Sequence, residues 1–461
     1  FARASARGSL LPFALLFTAA NILSFMVIPV LGMANTVALG IAAFLVILSA
    51  GLFGAILPLM SELAAKAGRN TGKKVSEIYA ANIAGAALGS ILTGLVFLDI
   101  WSLRTVAQVL ALGGGLLAIF LLLRSDNPAR AAVPAIFVGT VTALMIAVLA
   151  PPAFEGIYER LQFKGAAAKY PKFEAIAEGR NGVVAITETG VVYGTGVYDG
   201  RVTINLMEDY NALYRPTAVA ALHDAPSEVL VIGLSTGAWT QILANLPGVE
   251  RITAIEINPG YIELMPRYEK IASLLTNPKI EIVIDDGRRW LRRNPHAKFD
   301  FIVANTTFHW RAGAGRLLSK EYLEIIQGHL KPGGAYVFNT TQSPEVYKTA
   351  AQVFPHALRL AHFLFVSDRP LVLDKTKWRR ALENLRVDGV LLLDKEIPRE
   401  RQKIEEIVSL ADRIGPPGAH DTEFAVEGRD SILERTQANE IVTDDNMITE
   451  WPRFVDGRYE F

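Results

Sequence analysis

Five apolar runs dominate the first part of this chain, at about 10–32, 36–63, 78–100, 105–123 and 131–151. As helices, each is long enough to cross a hydrocarbon core of roughly 30 Å. A cleaved signal peptide accounts for one such run, not for five. The runs explain a mean hydropathy of +0.28 and a charged fraction of only 20%. The expectation is a transmembrane helical bundle over 1–152, with the lipid bilayer as its partner. The chain opens on Phe1 rather than Met, so a processed or internal start is expected, with further spans upstream.

The third run gathers Ala80, Ala81, Ala84, Gly85, Ala86, Ala87, Gly89, Ser90 and Gly94. Small residues let helices approach closely in lipid, and Asn82 among them is read as a bridge to a neighbouring helix. Lys66, Arg69, Lys73 and Lys74 lie between runs two and three, Arg124 and Arg130 between four and five, and Arg3 and Arg7 before the first. Basic loops face the cytoplasm. Five spans then carry everything after residue 152 outside, where a nucleotide-type ligand is scarce. Charge and ligand point to opposite sides, and both placements stay open here.

A formal net charge of +0 gives no footprint for nucleic acid. With no cysteine there is no disulfide, no thiolate metal site and no thiol nucleophile. No metal is expected.

Pro151-Pro152 closes the apolar part. Alternating stretches at 183–187, 191–195 and 202–205, with turns at Glu188-Thr189-Gly190 and Tyr198-Asp199-Gly200, predict a small antiparallel β unit over 153–210. From 229 to about 373, strand and helix patterns alternate, which implies a mostly parallel, doubly wound α/β sheet of Rossmann type. This domain is placed at 211–375, and a helical and irregular extension at 376–461.

The stretch Val229-Leu-Val-Ile-Gly-Leu-Ser-Thr-Gly-Ala-Trp239 reads as a buried strand, a glycine turn and a helix start. Its backbone N–H groups and helix dipole are expected to face a ligand. Glu256 closes the next strand about 20 residues past the turn, where an acid reaches ribose hydroxyls. Asp286-Gly287 and the loop 305–311 follow the next two strands, at the edge where ligands sit in such sheets. Gly233-x-Ser235-x-Gly237 also fits the nucleophile elbow of a hydrolase. That reading lacks an oxyanion stretch upstream and leaves Glu256 unexplained. A turn kept only for packing is the third possibility.

These residues together resemble the spermidine synthases, which are aminopropyltransferases on the class I S-adenosylmethionine methyltransferase fold. The resemblance extends to bacterial membrane-fused spermidine synthase-like proteins, whose span resembles Tyr79-Ala-Ala-Asn82-Ile-Ala-Gly85-Ala-Ala-Leu-Gly89. It covers roughly 55–375 and, weakly, Thr443-Asp444-Asp445. It implies S-adenosylmethionine or its decarboxylated form as donor. Gly233, Ser235 and Gly237 would underlie the donor, Glu256 would hold two ribose hydroxyls, and Asp286-Gly287 would read the adenine edge. Asp286 also suits a helix N-cap ahead of Arg288. The resemblance further implies an integral protein of the bacterial inner membrane, with a homodimer or membrane-complex partners.

The pattern breaks at the catalytic strand end. The family carries Asp-Ser-x-Asp-Pro there, and this chain has Ala304, Asn305, Thr306, Thr307 and Phe308. The family's Tyr-His-Glu is matched by Asn211-Ala212-Leu213. The base and the charge partner of a polyamine are thus missing. His309, Trp310 and Arg311 replace them and suit an anionic or aromatic acceptor, with Asn305 and His309 as catalytic candidates. Asp199, Arg311, Asp444 and Asp445 are substrate candidates. The rival readings are a degenerate, non-catalytic subunit of a membrane complex and, from the spans and Asn82 alone, a transporter.

Overall fold

The computed structural model describes residues 10–446, apart from 34, 67–69, 125–127, 224, 306–307, 310–312 and 416–425. The chain divides into two compact units, Phe1–Thr189 with Tyr193–Val197, and Gly190–Val192 with Tyr198–Phe461.

In the first unit the apolar runs are five helices: α1 Leu10–Leu31, α2 Val37–Glu62, α3 Thr71–Ile100, α4 Leu103–Leu123 and α5 Ala131–Phe154. All five are long and apolar enough to cross a membrane. Close packing occurs on α4 rather than on the small residues of the third run. A β-carbon on Gly114 would lie 2.6 Å from the Asn21 amide of α1. That amide donates to the Ala111 carbonyl at 2.8 Å. Gly115 likewise leaves room for Thr142 of α5. On α3, nothing lies within 4 Å of where Gly85, Gly89 or Gly94 would carry a β-carbon, and no residue of Thr71–Leu92 is buried. Small residues permit a close approach without compelling one.

Two stretches, Thr93–Phe97 in α3 and Met145–Leu149 in α5, wind as π-helix. A widened turn disturbs the regular carbonyl pairing. Inside the second, the Gln108 side chain of α4 donates to the Ile146 carbonyl at 2.9 Å.

Strands β1 (Phe173–Gly179) and β2 (Gly182–Thr187) form an antiparallel hairpin. It rests on the turn between α3 and α4. The Glu178 carboxylate accepts from the Leu103 N–H at 2.5 Å, and Arg180 pairs with Asp99 at 3.3 Å. Arg160 donates to the carbonyls of Gly32 at 3.0 Å and Ala153 at 2.7 Å, at the C-terminal ends of α1 and α5. The hairpin thus shares the end at which α1, α3 and α5 finish. Lys73, Lys74 and Arg124 stand at the opposite ends of their helices. Two further strands, β3 (Val191–Gly194) and β4 (Val197–Arg201), complete a four-stranded sheet in the order β1-β2-β3-β4.

The second unit is built on an eight-stranded mixed sheet. Its strands are β5 Glu228–Ile232, β6 Arg251–Glu256, β7 Ile280–Ile284, β8 Phe299–Ala304, β9 Leu330–Asn339, β10 His356–Leu360, β11 Phe363–Ser367 and β12 Val426–Gly428. Their order is β12-β10-β11-β9-β8-β5-β6-β7. Strands β5 to β9 run parallel, while β10, β11 and β12 pair antiparallel. Alternation explains the apolar run at β5. Val229 and Val231 enter one core with Trp239, Phe363, Phe365 and Trp378. Leu230 and Ile232 enter the other, with Tyr322, Tyr336, Phe338 and Phe354. A strand covered on both faces needs apolar residues at every position.

The helices that position the site are α6 Ala238–Ala244, α7 Gly287–Arg293 and α8 Lys320–His329, followed by α9 Lys375–Asn384 and α10 Pro398–Ser409. The last two are part of the first core, through Trp378, Leu382, Ile404 and Val408. From β5 the chain winds outward through β6 and β7, then returns to the other side for β8 and β9. The switch point lies between β5 and β8, where such sheets open a crevice beyond the strand ends.

Candidate active site

At the switch point a β-carbon on Gly233 would lie 3.0 Å from the Asn305 carbonyl oxygen. Glycine is required there, both for that approach and for a φ of 87°. Ser235 also adopts a left-handed φ, 50°, and its hydroxyl donates to the Asp199 carbonyl at 2.7 Å.

Four N–H groups of this turn, those of Gly233, Leu234, Ser235 and Gly237, bond within the chain, where the sequence led one to expect them to face a ligand. Gly233 donates to Ile255 at 2.9 Å and Gly237 to Leu234 at 2.9 Å. Leu234 and Ser235 both donate to Glu256 Oε2, at 2.8 and 3.1 Å. Glu256 Oε1 accepts from the Asn258 N–H at 2.9 Å. Glu256 is only 4% exposed, so its carboxylate sits under the turn and draws the amides down. Burial pushes its pKa up, and the surrounding backbone N–H groups oppose that shift. The bonds from Leu234, Ser235 and Asn258 compete with the expected grip on two ribose hydroxyls for the carboxylate's acceptor positions.

What stands at the tips beside it is apolar. Ile257, next after Glu256, is 53% exposed, and Ile284, paired with Glu256 across β6 and β7, is 48% exposed. No sequence motif marked them, since an isoleucine at a strand end reads as core. Asp286 is the N-cap of α7 and accepts from the Arg289 N–H at 2.7 Å through Oδ1. Gly287 is glycine because a β-carbon would lie 2.6 Å from Ile232 Cγ2. That spacing presses the start of α7 against β5. The preceding Asp285 pairs with Arg289 and Arg293.

Asp199 does reach the turn. Besides the Ser235 bond, its carboxylate accepts from the Tyr261 hydroxyl. Tyr261 belongs to no motif and was not foreseen. Asp444 is engaged elsewhere, by Arg288 and Ser319, and Asp445 is exposed. Arg288 and Ser319 together hold the Asp444 carboxyl below the usual range, Arg288 being the larger cause.

Asn305 follows β8 at the switch point. His309 is 8% exposed, and Thr341 holds it. The Thr341 hydroxyl accepts from the His309 N–H at 3.0 Å and lies 2.5 Å from Nδ1. Thr341 and its neighbour Gln342 both have left-handed φ angles, 45° and 68°. Two successive non-glycine residues in that region are strained, and such strain clusters at functional sites. Thr306, Thr307, Trp310 and Arg311 lie outside the described residues. Among the described residues no group of three or more metal-ligating side chains forms a metal site.

Residues 217–365 match the spermine/spermidine synthase domain family. The polyamine aminopropyltransferase 2 of Hyperthermus butylicus is 34% identical over 171 residues, 34% of this chain and 55% of that protein. The polyamine aminopropyltransferase of Mycobacterium tuberculosis is 35% identical over 121 residues, 25% of this chain and 23% of its own. The chain thus spans about half or less of these two curated relatives. A crystal structure of spermidine synthase in complex with the transition-state analogue AdoDATO aligns with a TM-score of 0.40 at 19% identity, over 52% of this chain and 89% of that one.

Proposed function

We propose that this chain is a membrane-anchored transferase of the spermidine synthase kind, with decarboxylated S-adenosylmethionine or S-adenosylmethionine as donor. The five apolar helices provide the anchor. The observation that carries the reading is the switch point between β5 and β8 inside the matched segment, with Glu256 and Asp286 at neighbouring strand tips and Ile257 and Ile284 exposed beside them.

The residues fit a purine nucleoside, with one amendment. Ile257 and Ile284 offer an apolar shelf for a flat base, and Asp286 an acceptor for its exocyclic amine. Glu256 acts mainly by shaping the turn beneath. Bound there, the donor supplies a carbon activated by an adjacent sulfonium. The chain's own residues supply alignment and exclude water. His309, fixed at Nδ1 by Thr341, is the candidate to take the acceptor's proton. Asn305 orients the acceptor from the end of β8.

One observation favours the rival, an inert module: the N–H groups of Gly233, Leu234, Ser235 and Gly237 are bonded within the chain. Calorimetry of the full chain in detergent separates the two. The titrants are S-adenosylmethionine, its decarboxylated form and methylthioadenosine. Saturable binding of at least one, weakened tenfold or more by Asp286→Ala in a protein that melts normally, supports the transferase. Binding of none would leave the inert module.

A further inference from the structure

We infer that the acceptor is an amine bearing an anionic end, an amino-acid-like molecule, and not a diamine or polyamine. This rests on the transferase reading above and adds the substrate class. The sheet order β11-β9-β8-β5-β6-β7 divides the carboxyl edge into two halves. The donor residues stand over β5, β6 and β7. The acceptor must then approach over β8, β9 and the β10–β11 turn.

The acids fall on the donor half. Glu256 closes β6, Asp285 and Asp286 follow β7, and Asp199 is tied to Ser235 of the glycine turn. Among the described residues the acceptor half comprises 305, 308–309, 313, 339–343, 361–362 and 211–215, none of them Asp or Glu, and the adjoining Glu345 carboxylate accepts from the Ser343 hydroxyl at 2.8 Å. The nearby Asp209 is spent on the N–H groups of Leu213 and Tyr214.

Basic residues occupy that half instead. His309 is held by Thr341 just beyond β9. The His362 carbonyl receives the N–H and hydroxyl of the adjacent Thr340, at 3.0 and 2.6 Å. The Arg215 guanidinium lies 4.6 Å over the ring of Phe363, which pairs with Asn339, the last residue of β9. The contacts thus link Arg215, His362 and His309 along one edge.

A dication brought to this edge meets the Arg215 guanidinium, while the nearby Asp209 and Glu345 carboxylates are already bonded within the chain. An acceptor with an amine at one end and a carboxylate at the other satisfies both halves. Its carboxylate meets Arg215, whose planar fork suits it. Its amine reaches toward β8. There the nitrogen lone pair forms the new N–C bond as the C–S bond breaks, that electron pair returns to sulfur to give a neutral thioether, and the amine proton passes to His309.

Two four-carbon probes that differ at one end test this, putrescine and 4-aminobutyrate. Each is titrated into the full chain saturated with methylthioadenosine. We expect 4-aminobutyrate to bind at least tenfold more tightly. Arg215→Gln should reduce the preference below threefold, and Arg215→Lys should restore part of it in a protein that melts like the parent. Equal or tighter binding of putrescine overturns the inference. So does a failure of both probes on a protein that binds methylthioadenosine. If methylthioadenosine does not bind, the probes are titrated into the chain saturated with whichever donor does, and if none of the three nucleosides binds, the transferase reading fails first and this inference with it.

Discussion

Asp444 accepts from both terminal nitrogens of Arg288, at 2.6 and 2.5 Å, across 156 residues of chain. Arg288 directly follows Gly287, so this contact ties the last described segment to the helix that Asp286 caps. The Arg288 bond lowers the Asp444 pKa in the folded protein. The contribution is therefore present above the ordinary Asp value of about 3.9 and lost as pH falls through the folded value. Asp444→Asn should cost about 1–3 kcal/mol at pH 7 and less at pH 3. Melts of both proteins at the two pH values check it. An equal loss at both would mean that charge is not the cause.

Ser235 combines a left-handed backbone with a hydroxyl bond to Asp199. Ser235→Ala keeps the strain and loses the bond, so it should destabilise by about 1 kcal/mol. Ser235→Gly loses the bond but relieves strain of about 1–2 kcal/mol. The glycine variant should therefore be the more stable of the two. The reverse order in chemical denaturation would contradict the φ of 50°.

Gly287→Ala forces a β-carbon to within 2.6 Å of Ile232 Cγ2. Overpacking of this kind costs typically about 1–3 kcal/mol. Adding Ile232→Ala removes the obstructing methyl. The double variant should lose less than the two single losses combined, as expected for residues in contact. Strict additivity would show that α7 does not press on β5 here.

Burial pushes the Asp209 carboxyl up to about 6, against the opposing N–H bonds from Leu213 and Tyr214. A raised acid binds more protons folded than unfolded. Its contribution is complete below the unfolded value near 4 and lost as pH rises through about 6. Asp209→Asn should flatten the stability profile between pH 4 and pH 7. It should gain up to about 3 kcal/mol relative to the parent at pH 7. Asparagine tolerates the left-handed φ of 46° at this position. A parent profile already flat over that range would contradict the shift.

Legibility followed the distance over which each feature is decided. The five helices were read closely: the run expected at 10–32 is Leu10–Leu31, and that at 105–123 is Leu103–Leu123. Hydropathy over some 20 residues is a local sum, and lipid imposes helix on any run that long. The parallel core was legible for a similar reason, since β5 is apolar at both alternating positions. Asp286 at a helix start was legible as an N-cap. The packing of the α3 face was not legible, because small side chains state what contact is allowed, not which helix arrives. The direction of the turn amides was not legible either. It depends on whether Glu256 folds under the turn or reaches away from it, and the same residues at the same spacing permit either.

The sequence alone determined the element types, the strand tips at which acids and glycines stand, and the absence of carboxylates from 305–313. Tertiary structure alone decided that Glu256 accepts from Leu234 and Ser235, that Thr341 holds His309, and that Asp444 pairs with Arg288. Periodicity belongs to a short window of chain. A side chain's partner belongs to the packed fold, which brings together groups 21 to 156 residues apart and buries them where each must find a hydrogen bond.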